Sequence, residues 1–149
     1  MTRLWLALLL PLAFGCVSAI DTARTTLTTA AYATVQVDKI FADAYEIAAD
    51  AARNSSTTQA EKDAKMALWT SAANRMEGVL NEARRELTVA ELGIDAWETT
   101  GESGSWDEAL ACVAQALRRA ADVLEERGVK IPSALAKVLS VSRGLVCSR

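Results

Sequence analysis

Histidine is absent from the 149 residues. That removes the side chain whose ordinary pKa lies nearest neutrality, and with it the usual general base and the commonest transition-metal ligand. A cysteine or serine nucleophile activated by an imidazole is therefore excluded. So are the Glu-x-x-His pairs that build di-metal carboxylate centres inside helical bundles. Proline occurs only 2 times and glycine 7 times, and aromatic residues make up 5% of the chain. Helix breakers are thus scarce. No glycine-rich phosphate loop, nucleophile elbow or metal-spaced cysteine pair is present. Neither sign of charge dominates: the formal net charge is -3, with bases and acids interspersed, so there is no electrostatic footprint for nucleic acid. These absences point to a protein that is not an enzyme, needs no cofactor and binds no metal or nucleic acid.

What is abundant is alanine, about a fifth of the residues, the side chain with the smallest entropic penalty in a helix. Hydrophobic residues supply 51% and charged residues 23%, ordinary usage for a globular protein. Strand-like alternation and internal repeats are missing. The chain is long enough for one modest core. The predicted fold class is all-α: an antiparallel helical bundle of three to four helices after an N-terminal signal peptide.

The leader has the signature of export. Arg3 gives a basic start, and residues 4–12 read LWLALLLPL, an apolar run of signal-peptide length. The uncharged stretch, residues 4–20, is at the low edge of what spans a bilayer, which favours a cleaved signal over a retained anchor. Residues 12–16 read LAFGC. This segment resembles the lipobox of bacterial lipoproteins, in which a small residue precedes a cysteine that is diacylated before cleavage and becomes the mature N-terminus. The resemblance covers only the first 16 or so residues and is silent about the domain. It implies a lipid of the palmitate type on Cys16, removal of residues 1–15 and attachment to a membrane through that anchor. With Val17 rather than Asp after the cysteine, it implies the outer membrane, on the periplasmic side, of a cell envelope, in a protein of bacterial or phage origin. Two or three acyl chains satisfy the requirement for stable attachment. The alternative ending is Val17-Ser18-Ala19, with the small-residue spacing of ordinary signal peptidase. Cleavage there removes residues 1–19 and leaves a periplasmic or secreted protein.

Either ending accounts for an odd cysteine count of 3. Cys16 is lipidated or discarded, leaving Cys112 and Cys147 as an even pair in a compartment that permits disulfides. They lie about equally far before and after a turn at residues 127–132, so in two antiparallel helices of equal rise they sit side by side at bridging distance.

Along the mature chain, residues 16–30 are expected to form a threonine-rich tether and the start of the first helix, and residues 31–149 the bundle. The first helix is predicted over residues 22–53, with Val37, Ile40, Phe41, Ala44, Ile47, Ala48 and Ala51 inward. A capping box, Thr58-x-x-Glu61, opens the second helix. Its stripe runs from Trp69 through Ala72, Met76, Leu80 and Leu87 to Ala90, opposite charges that include Glu82, Arg84, Arg85 and Glu86. Gly78 within it suggests close approach of another helix. A second box, Ser105-x-x-Glu108, opens the third helix, which carries Leu110, Val113, Leu117 and Leu124 inward. Gly128 caps its end, and Pro132 sits in the first turn of a fourth helix bearing Leu135, Val138 and Leu139.

Trp97 and Trp106 flank the loop GESG at residues 101–104 and form either a patch for a partner or packing beneath the loop. Asp43, Glu46 and Asp50 share a helix face that reads as solvated rather than cation-binding. Arg84, Arg85, Arg118 and Arg119 either bind acidic groups or pair with nearby glutamates. The function expected from these features is a noncatalytic envelope lipoprotein, a membrane-anchored helical interaction or structural module whose protein partner the sequence does not identify. The alternative is a secreted helical binding module or inhibitor released after Ala19.

Overall fold

The computed structural model describes residues 3–141 and Cys147, with side chains from 19 to 139 and at Cys147. Four α-helices follow in chain order: α1 (Arg3–Asn54), α2 (Gln59–Thr100), α3 (Trp106–Glu126) and α4 (Ser133–Val141). Among the described residues there is no strand, and no helix is long and apolar enough to cross a membrane.

The first helix is continuous over 52 residues and takes in residues 16–30, where a tether and the start of the helix were expected. The reason is local. The hydroxyls of Thr25, Thr26, Thr28 and Thr29 each donate to the carbonyl four residues earlier, at 2.8 to 2.9 Å, which satisfies side chains that otherwise compete with the helix. Ala23 is already buried and Arg24 reaches Asp95 and Glu98 on α2, so packing begins well before residue 31.

The turn into α2 has the anticipated chemistry. The backbone amide of Thr58 donates to the Glu61 carboxylate at 2.9 Å, and the Glu61 amide donates back to the Thr58 hydroxyl. The Thr58 backbone amide first, and then the Thr58 hydroxyl, which donates to the same carboxylate at 3.0 Å, hold the Glu61 carboxyl below the usual glutamate value. The helix runs without interruption past Gly93 to Thr100, where Gly101 adopts φ 75° and its amide donates to the Trp97 carbonyl at 2.9 Å.

The start of α3 departs from expectation. Ser105 has ψ 28° rather than an extended backbone, so its side chain makes no cap bond to the helix. The end of α3 is a Schellman motif: the Gly128 amide donates to the Glu125 carbonyl and the Val129 amide to the Leu124 carbonyl. Gly128 supplies the positive φ, 72°, that the motif requires.

Helices α1, α2 and α3 pack as an antiparallel three-helix bundle, with α4 lying across α1 and α3. The main core joins Ala33, Val37 and Phe41 of α1 to Met76, Leu80 and Ala83 of α2 and to Val113, Leu117 and Leu124 of α3, with Leu135 and Leu139 of α4 closing one side. Small residues let α3 sit deep: twelve of its residues are buried, six of them alanine. At the edge of this core Phe41, Tyr45 and Trp69 cluster between α1 and α2 with centroids 6.0 to 6.4 Å apart, Tyr45 edge-on to Trp69 and the other two pairs tilted.

Candidate functional site

The anticipated features fall into three places. Cys16 lies on the backbone of α1, but its side chain is outside the described residues. Seven residues further on, Ala23 is the first buried residue among those described.

The second place is the cysteine pair. Cys112 and Cys147 stand at disulfide distance, Cα to Cα 4.6 Å, across 35 residues of sequence. Cys147 itself is not helical, and the residues that join it to Val141 at the end of α4 lie outside the described residues. Cys112 is buried on α3 among Ala109, Ala116 and Val113.

The third is the aromatic pair. Trp97 and Trp106 stack on each other with centroids 5.7 Å apart and planes 10° from parallel. The loop between α2 and α3 brings them together, and Gly93 makes room: a Cβ added there would stand 3.0 Å from the Trp106 Cβ and 3.3 Å from its backbone nitrogen. Trp106 also packs against a satellite cluster of Ala90, Ala109 and Leu110. Both indoles are half-buried. The pair therefore closes one end of the bundle, and each ring spends one face on the other.

Close helix approach is at Gly93, then, and not at Gly78, where an added Cβ would meet nothing within 4 Å. One arginine of each neighbouring pair, Arg84 and Arg119, makes a contact between helices. Arg84 of α2 bonds Asp38 of α1 at 2.6 Å, Arg119 of α3 bonds Glu82 of α2 at 2.5 Å, and Arg75 clasps Glu126 at 2.6 and 3.1 Å. The Glu126 carboxylate holds the Arg75 pKa up, and Arg75 in turn holds the Glu126 carboxyl below its ordinary range. Arg24 is raised by Glu98 first and then by Asp95. All these pairs are at least one-third exposed, so solvent screens them and each serves more to set the alignment of helices than to hold them. Asp43, Glu46 and Asp50 are exposed, and Asp50 pairs with Arg53.

Two features escaped the sequence reading. Glu86, placed among the surface charges, is buried, with Arg85 bonding its carboxylate at 3.2 Å. A cleft between α1, α3 and α4 is lined by Thr25, Thr29, Leu110, Leu117, Ala134 and Val138 among others. The signal for the second was the threonine spacing of four on a helix face, which reads as polar until the hydroxyls are seen to be consumed by the backbone. Comparison with known proteins finds no matching family model, no matching curated protein and no matching solved structure.

Proposed function

We propose that the chain is a noncatalytic envelope lipoprotein, anchored through Cys16 on the periplasmic side of an outer membrane and presenting its helical bundle as an interaction module. The observation that carries this reading is the pairing of Cys112 with Cys147 at disulfide distance. A bond there belongs to an oxidising compartment, and it leaves Cys16, at the end of an apolar leader, as the one cysteine available for a lipid. The short interval from Cys16 to the buried Ala23 supports a bundle held close to the membrane surface.

A secreted module released after Ala19 is the second reading. It is favoured by the same start of packing: a cut at that point leaves Ala23 and the Arg24 contacts to α2 in place. Intact mass of the mature protein, with and without reduction, separates the two. The lipoprotein gives a mass beginning at Cys16 with added acyl chains, and reduction adds two hydrogens for the Cys112 to Cys147 bond. An unmodified mass beginning at Ile20 overturns the anchor and selects the secreted module.

A further inference from the structure

We propose that the open groove at the tip of the α1–α2 hairpin receives an amphipathic helix of a partner protein, whose acidic residues meet Lys65 and Arg127. Helix α3 covers one side of α1 and α2 only as far as Arg75, which bonds Glu126 at the last turn of α3. From Arg75 back to Gln59 the two helices run on together for roughly 24 Å, and the side that α3 covers elsewhere is open. Ala48, Ala51, Leu68 and Trp69 line it. On α1, Ala44, Ile47, Ala48 and Ala51 recur at three-and-four spacing, and Ile47 is 70% exposed while Leu68 on α2 is 58% exposed. Alanines between larger apolar side chains let another helix approach closely, so the groove suits a helix that extends the line of α3. Cys147 is held at Cys112, roughly 22 Å of helix before Arg127, and residues 3–18 lie at the far end of α1, so both are remote from the groove.

Charge decides the kind of helix. Lys65 and Arg127 line the same groove, and among the described residues neither belongs to an ion pair. The carboxylates beside them are engaged elsewhere: Glu61, one turn before Lys65, closes the Thr58 capping box, and Glu126, next to Arg127, clasps Arg75. The Arg127 Nε is moreover buried without a hydrogen-bond partner among the described residues, an unspent donor at the edge of the groove. Asp43 and Asp50, four residues before and three after Ile47, are exposed on the α1 rim. An incoming helix therefore turns its apolar face to the groove and its acidic row toward α2 and the end of α3, away from α1. The inference rests on the reading of the bundle as an interaction module and not on the anchor, so the intact-mass result leaves it standing.

The test titrates the full chain carrying Cys16→Ser against a fluorescent, end-capped synthetic peptide of about four helical turns, with leucines at three-and-four spacing and glutamates beside them. The control peptide has lysine for each glutamate. Saturable one-to-one binding of the glutamate peptide is expected, tighter than the lysine peptide by roughly tenfold. Lys65→Glu reverses that order, which the loss of a merely structural lysine does not. Ala51→Trp fills the groove from an exposed position, and Leu68→Asp separately removes an exposed apolar contact. Each weakens the glutamate peptide by roughly tenfold or more while thermal unfolding stays cooperative. Absence of saturable binding, or binding unmoved by these three variants, overturns the proposal. Sedimentation equilibrium of the chain alone supplies the other occupant: a dimer that Ala51→Trp dissociates makes it a second copy of this chain and overturns the partner helix.

Discussion

At the scale of single residues, the two glycines inside α2 act in opposite senses. Gly78 is exposed in a helix interior with open space around its Cβ position, so it carries only the entropic penalty of glycine. Gly78→Ala should stabilise the protein by about 1 kcal/mol. At Gly93 the same change gains the same helix propensity but drives a methyl group against the Trp106 Cβ and backbone, which are fixed by the start of α3. Overpacking of this kind costs about 1 to 3 kcal/mol, so Gly93→Ala should destabilise, and the near-ultraviolet circular dichroism of the stacked Trp97 and Trp106 should change with it. Urea denaturation of the two variants side by side provides the check. Equal shifts of the same sign would mean that α3 does not seat on Gly93.

At the scale of elements, the helix boundaries and the face of α2 were legible because their causes are local. Thr58 and Glu61, Gly101, and the sequence Arg127-Gly128 each satisfy backbone groups within one turn, and the three-and-four spacing from Trp69 to Ala90 coincides with the buried side of α2. What the sequence hid depends on neighbours. Ile47 belongs to the apolar stripe of α1 yet is 70% exposed, because α3, with 21 residues, ends abreast of Arg75 while α1 and α2 run on together. Glu86 was assigned to the surface by residue type, although its spacing from Ala83 and Ala90 puts it on the buried face. The cleft was illegible since threonine reads as polar whichever way its hydroxyl is bonded. Helix alignment also has a pH signature. Glu61 and Glu126 both titrate below the ordinary glutamate value of 4.5, so the unfolded chain binds more protons than the folded one as acid is added. Their stabilising contribution is therefore complete above about pH 5 and is lost as pH falls through the depressed values. Thermal unfolding followed between about pH 6 and pH 3 should show a steeper acid loss in the wild-type protein than in Glu126→Gln. Identical profiles would mean that the Arg75 clasp does not persist in solution.

At the scale of the whole molecule, the fold is a long α1–α2 hairpin to which α3 and then α4 are added, and the additions are progressively less self-sufficient. Helix α4 has 9 residues, too few to persist in water alone, and its hold on the bundle is the burial of Leu135 and Leu139. The Cys112 to Cys147 link lies beyond it and ties the end of the chain to the buried side of α3. A bond closing a 35-residue loop removes freedom from the unfolded chain worth roughly 3 to 4 kcal/mol in the loop-entropy treatment. For a domain of this size that corresponds to a change on the order of 10 °C in Tm. Cys147→Ser should lower Tm by about that amount without changing the helical signal at low temperature, since α1, α2 and α3 keep their mutual core. Cys16→Ser should leave Tm nearly unchanged, because Cys16 precedes Ala23, the first buried residue among those described. Calorimetry of the two variants under non-reducing conditions distinguishes a structural cysteine from an anchoring one. A Cys147→Ser protein that melts with the wild type would show that α4 is held by its leucines alone, and the oxidising compartment would then lose its main support.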